Sequence, residues 1–295
     1  MKLSGYLVSS LVFLTGTLAA NNFGGLTASN SAGGKGTYTC RTQAQWNDLA
    51  KSAKSAGFKS IRILGFDCNA LNLASAAAAS AGIQVLAGIY FDGTVASANA
   101  AIDNQVKQFQ AAVKQFGANR YMGLTVGNEN TDSPTNIMNK VSQVKKTLQG
   151  AGINTPVTTV HVWVNIRDNH VFCNGDFVGA NAHAFYDPNT TADHAGDFMT
   201  NTVIPALRQA CGQNKKIIIT ETGWPSRGGP NRAAVASLAN ERTALSKLNC
   251  AARNDRSITM FAFEYDDQTW KSNDNERSFG IFGKFNLNTD IFSAC

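Results

Sequence analysis

The chain has 295 residues, 43% of them hydrophobic and 16% charged. That is enough to bury a sizeable core and too apolar for a disordered chain. Its net charge of +6 is dispersed, since Lys107, Lys114, Lys140, Lys145, Lys146, Lys215 and Lys216 stand singly or in pairs. A nucleic-acid binder would gather such residues on one element, so no nucleic-acid partner is expected.

Residues 1–20 read as a secretory signal. Lys2 gives the positive start, Tyr6 to Leu14 is apolar except for Ser9 and Ser10, and Thr17-Leu18-Ala19-Ala20 offers small residues for cleavage. The apolar run is too short to span a bilayer. The last residues, Asn288 to Cys295, lack the hydrophobic tail of a lipid anchor. The expectation is a secreted, extracellular or wall-located monomer without a membrane anchor, its mature part covering 21–295 as one domain.

Short β-rich apolar runs then recur at 22–26, 60–64, 83–89, 121–126, 156–161, 177–184, 216–220 and 258–263. Runs such as Ile217-Ile218-Ile219 suit strands buried on both faces of a parallel sheet. Helical patterns fill most gaps. In 43–56, Trp46, Leu49 and Ala53 share a stripe ahead of Gly57; 98–116 places Ile102, Val106, Phe109 and Val113 at helical spacing. Ser133-Pro134 opens a further helix that Gly150 closes, and 197–210 and 232–248 supply two more. Eight strands alternating with helices predict an α/β fold, a (β/α)8 TIM barrel. Gly33-Gly34-Lys35-Gly36 lacks the spacing of a phosphate-binding loop.

Cys40, Cys68, Cys173, Cys211, Cys250 and Cys295 form an even set behind a signal, which favours disulfides with the pairing left open. Their wide spacing matches no zinc motif, and His161 has no spaced partner, so neither metal nor cofactor is expected. A hydrogen-bonded structural role is the reading for His161. Asn189-Thr190-Thr191 is a glycosylation sequon.

Catalytic groups of such barrels project from the carboxyl ends of strands. The fourth run ends in Val126-Gly127-Asn128-Glu129 and the seventh in Thr220-Glu221-Thr222-Gly223-Trp224-Pro225. Either glutamate alone is explained by an ion pair. Two at one barrel mouth, three strands apart, are what glycoside hydrolysis requires: one protonates the leaving oxygen, the other attacks the anomeric carbon or activates water. Tyr186 and Tyr90 follow the sixth and third runs and Trp224 follows Glu221, so all three are candidates for the groove, with ordinary packing as the alternative.

These pieces resemble glycoside hydrolase family 17, particularly its fungal cell-wall members. The matching segments are Asp67-Cys68-Asn69-Ala70-Leu71, Val126-Gly127-Asn128-Glu129, Glu221-Thr222-Gly223-Trp224-Pro225, Phe263-Glu264 with Asp267, Trp270 and Lys271, and Ser278-Phe279-Gly280-Ile281-Phe282. The resemblance implies a retaining enzyme on β-1,3-glucan, with Glu129 as general acid/base, Glu221 as nucleophile and Asn128 aimed at a sugar hydroxyl. It also suggests Glu264 and Lys271 as organisers of the nucleophile, the alternative being ion pairs with Asp266 or Asp267. Two departures stand out: Gln268 where the family often has glutamate, and Leu64 where it commonly has tyrosine. The covalent intermediate can be resolved by a glucan acceptor or by water, giving a glucanosyltransferase or an endo-glucanase, and the expectation leans to transfer with accompanying hydrolysis. A non-catalytic glucan binder would have lost a carboxylate, and both are present.

Overall fold

In the computed structural model, which describes residues 20–255 and 257–295, eight parallel strands close into a barrel in chain order. They are β1 (Gly25–Ala28), β2 (Ser60–Ile63), β3 (Gln84–Ile89), β4 (Tyr121–Asn128), β5 (Val157–Val162), β6 (Val178–Asn181), β7 (Ile217–Thr222) and β8 (Ile258–Ala262). β8 closes on β1 through Leu26 opposite Ala262. The predicted (β/α)8 architecture is therefore the observed one. The expected signal falls on residues 1–20, of which 1–19 lie outside the described residues.

The helices follow the strands: α1 (Gln43–Ser55), α2 (Ala70–Ala81), α3 (Val95–Phe116), α4 (Pro134–Gly150), α5 (Trp163–Asp168), α6 (Ala195–Asp197), α7 (Ile204–Cys211), α8 (Leu238–Asn254) and α9 (Leu287–Asp290). Their starts are set by side chains that accept the free N–H groups of the first turn. Thr42 and Thr94 do so in reciprocal capping boxes, and Ser133 and Ser237 cap α4 and α8. The Ser237 cap places α8 six residues beyond the expected start at 232. The predicted 197–210 helix is three pieces, with a π-helical segment, Phe198–Val203, between α6 and α7. Among the described residues no helix is long and apolar enough to cross a membrane.

Alternation along the strands sorts the core into two layers. Ile61, Ile63, Val85, Ala87, Ile217, Ile219, Met260 and Ala262 join the large cluster shared with the helices. Their neighbours Leu86, Ile218 and Phe261, with Phe177, form a separate cluster on the inward face. Gly25 and Gly123 make room for it, since a Cβ there would meet the Phe261 ring or Phe177. The cysteines pair as Cys40–Cys68, Cys173–Cys211 and Cys250–Cys295, and each bridge closes a loop of the chain.

Candidate active site

Both predicted glutamates stand at the carboxyl end of the barrel, where their strands lose regular register. Pairing shifts between Thr125 and Asn128 on β4 and between Ile219 and Thr222 on β7. Such irregularities re-aim side chains at barrel rims. Gly127 at φ 84° and Glu129 at φ 53° turn the chain out of β4. Glu129 thereby opens to the cleft while its own N–H still reaches Val160 O at 2.9 Å. Together with Glu221, Tyr186, His183 and Asn181 it lines a cleft of about 380 Å³.

The two carboxyls occupy unlike surroundings. Glu221 is only 7% exposed. Burial pushes its pKa up, but the Arg62 guanidinium and the His183 imidazole outweigh it and hold the carboxyl down at about 2. Arg62 alternates with outward Ile61 and Ile63, so it points into the barrel, where Nη1 pairs with Glu221 Oε1. His183 Nε2 lies 3.5 Å from Oε2. Among the described residues no cation pairs directly with Glu129, although His183 and Arg62 lower its pKa from farther off. The enclosing walls, then the charge of Glu221, hold it above the ordinary glutamate range, opposed by the hydrogen bond from Asn181 Nδ2 at 2.8 Å. One carboxyl is thus kept ionised and the other biased towards its acid form, the division of labour of a two-carboxylate glycosidase.

A polar chain ties the pair together. Asn128 Oδ1 accepts from Arg62 Nη2 at 2.8 Å and from Asn181 Nδ2 at 3.2 Å. With Oδ1 so engaged, the amide nitrogen is what Asn128 has left to donate. Asn181 Oδ1 in turn accepts from Thr220 Oγ1 at 2.7 Å.

Residues 25–282 match the BtgE/BtgC glycoside hydrolase domain. The chain belongs to glycoside hydrolase family 17. Within this family it is 31% identical over 271 residues to the cell surface mannoprotein MP65 of Candida albicans, covering 85% of this chain and 67% of that protein. It is 30% identical to the probable family 17 glucosidase SCW10 of Saccharomyces cerevisiae, covering 82% of this chain and 61% of the relative. The chain thus spans about two-thirds or less of these relatives' lengths. A family 17 β-1,3-glucanosyltransferase from Rhizomucor miehei superposes with a TM-score of 0.71 at 26% identity, over 89% of this chain and 94% of that one. Membership places this family 17 chain among glycosidases and glucanosyltransferases.

The remaining predicted positions of this family 17 barrel separate. Tyr186 is half-exposed in the cleft, its hydroxyl donating to Glu276. Burial and then that carboxylate raise its pKa, so it stays a neutral phenol. Lys271 reaches Glu276 at 3.4 Å and Glu264 at 3.5 Å and sits 5.2 Å over the Phe263 ring. Burial works against its charge, but Glu264, Glu276 and Glu221 raise its pKa all the same. The alternative partners are occupied elsewhere, Asp266 by Arg41 and Asp267 by Lys284.

Glu264 is 1% exposed, too buried to touch a substrate; burial raises its pKa to about 8, and it lies behind Lys271. Two expectations need correction. Trp224 is not a groove wall: its indole is fully buried edge-on to Phe185, with Nε1 donating to Val235 O at 3.0 Å. Tyr90 lines a separate hollow and not the cleft of the two glutamates. His161 stacks on Phe172 at 4.0 Å, and burial lowers its pKa to about 4. Sequence reasoning passed over Arg62, Asn181, His183 and Glu276. For Arg62 a signal existed, a lone cation inside the apolar run Ser60-Ile61-Arg62-Ile63-Leu64.

Proposed function

We propose that this protein cleaves β-1,3-glucan with retention of configuration and passes the glycosyl unit to a glucan acceptor, some of it going to water. The observation that carries the reading is the opposite bias of the two cleft carboxyls, Glu221 held ionised and Glu129 held towards its acid form. In the first step Glu221 attacks the anomeric carbon as the glycosidic C–O bond breaks, and the departing oxygen takes the proton of Glu129. Arg62 fixes Oε1 of the nucleophile, leaving Oε2 the freer oxygen. Esterified Glu221 no longer repels charge, so Glu129 settles as a base. It then removes the proton of an acceptor hydroxyl, whose oxygen displaces Glu221 from the sugar.

The β-1,3-glucan substrate is supported by the Rhizomucor miehei relative, whose active-site mutant forms a complex with laminaritriose at 25% identity to this chain. A signal at 1–20 and a wall location fit the three disulfides and the cell-surface relative. Incubation with reducing-end-labelled laminari-oligosaccharides tests the activity. Products longer than the substrate establish transfer, shorter products alone establish a hydrolytic endo-glucanase, and an unchanged substrate refutes the reading.

A further inference from the structure

The chain's only Asn-X-Ser/Thr triplet, Asn189-Thr190-Thr191, falls in the loop that follows β6. That loop is part of the catalytic cleft. Tyr186, Asp187 and Pro188, the three residues before the triplet, all line it. Asn189 is therefore one peptide unit, about 3.8 Å from Cα to Cα, beyond a cleft-lining residue. It is exposed, whereas Thr190 beside it is buried.

The turn that presents Asn189 is held from two sides. Asp187 Oδ1 accepts from the Asn189 N–H at 2.9 Å, and Asp187 Oδ2 from Thr190 Oγ1 at 3.0 Å. From the segment after β7, the Ala233 N–H donates to Pro188 O at 3.0 Å and Asn231 Nδ2 to Phe185 O at 3.0 Å. An asparagine in such a turn is ordinary backbone chemistry. Here, however, the bonds that fix the turn use the backbone N–H of Asn189 and leave its side chain exposed. The threonine two residues on makes that carboxamide an acceptor for an N-linked glycan.

The place of the turn along the cleft gives a glycan there a consequence. Glu129 stands by the departing oxygen in the proposed reaction. The strand beside its own, β5, ends at Val162, and Val162 and Trp163 share the cleft with Pro188 and Phe198. The stretch from Glu129 past Trp163 to Pro188 is where the departing half of the chain leaves and where its replacement enters.

We infer that Asn189 carries an N-linked glycan and that this glycan screens the outer end of the cleft, disfavouring long departing and acceptor chains. The inference rests on the secreted, glucan-cleaving reading above. The glycan comes from a lipid-linked oligosaccharide pyrophosphate of the secretory lumen. A C–N bond forms between its reducing-end sugar and Asn189 Nδ2, the sugar–phosphate C–O bond breaks, the lipid pyrophosphate leaves, and the amide gives up one proton. Once the turn has formed, a bulky, hydrated oligosaccharide is tethered next to Pro188. It obstructs rather than binds: short chains end before they meet it, and long ones must push it aside.

Protein secreted from a fungal host, weighed intact before and after peptide-N-glycosidase, tests the modification. The expected result is a mass excess of N-acetylhexosamine and hexose units that the enzyme removes, mapped to position 189 by the Asn189→Asp conversion it leaves behind. Asn189→Gln and Thr191→Ala protein should lack that mass. All forms then cut reducing-end-labelled laminari-oligosaccharides, where the label follows the departing half whether water or sugar takes the intermediate. Loss of the glycan should raise the share of long labelled fragments about threefold or more. Thr191→Ala keeps Asn189 itself, and enzyme-treated wild type needs no mutation, so the comparison stands if one variant misfolds. An unmodified Asn189 in the secreted protein overturns the inference, and so does a fragment distribution that the glycan leaves unchanged. Substrate left intact by every form refutes the catalytic reading and the screening with it, while the mass alone decides the glycan.

Discussion

Replacing Arg62 by methionine removes the guanidinium paired with Glu221 and, among the described residues, leaves a buried carboxylate facing His183. The pair is well enclosed, with side chains 1% and 9% exposed, so solvent screens it little. Glu221 falls from 4.5 to about 2 in the folded protein. A group lowered in this way stabilises the fold above its unfolded pKa, and the contribution is lost as pH falls from about 4.5 towards 2. The shift corresponds to about 3 kcal/mol, in line with the roughly 3–5 kcal/mol lost when one partner of a buried pair is removed. At pH 6, Arg62→Met should therefore melt earlier by about 2–4 °C for each kcal/mol. The acid limb of its kcat/KM profile should move up, because Glu221 now protonates more readily. Adding Glu221→Gln removes the orphaned charge and should restore part of the stability. Equal melting temperatures and an unmoved acid limb in Arg62→Met would refute the assignment of Arg62 as the group that keeps Glu221 ionised.

Glu129→Gln and Glu221→Gln should each cost at least about a hundredfold in kcat, with the melting temperature preserved in Glu129→Gln and lowered in Glu221→Gln, which orphans the buried Arg62; near-normal turnover in either would refute its role. Because Glu129 must begin protonated, activity should fall as pH rises through its elevated pKa, and a profile flat to strongly alkaline pH would count against it. Trp224→Ala should cost about 3–5 kcal/mol in denaturant unfolding while leaving oligosaccharide affinity unchanged, as a buried packing residue requires. Glu264, raised to about 8, is still protonated in the fold where the unfolded acid has ionised, so Glu264→Gln should match wild type by calorimetry only below about pH 4.5. An acid with a raised folded pKa loses stability as pH climbs from 4.5 towards 8, and the glutamine variant should escape that decline.

What the sequence revealed follows from how strongly each residue contrasts with its neighbours. The eight strands were legible because apolar runs alternate with polar helical stretches, and both glutamates because they end such runs. The α2 helix, Ala70–Ala81, was not, since a stretch so rich in alanine shows no apolar stripe. Trp224 misled because adjacency to a catalytic residue says nothing about direction: past the irregular end of β7 the chain turns the indole inward against Phe185. Asn181 and His183 read as ordinary polar residues at a strand end, and only barrel closure brings them to Glu129 and Glu221. Glu276 reaches Tyr186 across 90 residues of sequence, a separation no local pattern encodes.

Arg62 touches Glu221 directly and Glu129 through the amides of Asn128 and Asn181. In the proposed cycle Glu221 surrenders its negative charge to the ester at the moment Glu129 acquires one by giving up its proton. The site's total charge is then the same before and after glycosylation; only the seat of the negative charge migrates. A fixed cation wired to both seats accommodates that migration without moving, so the barrel floor can stay rigid while the chemistry turns over above it.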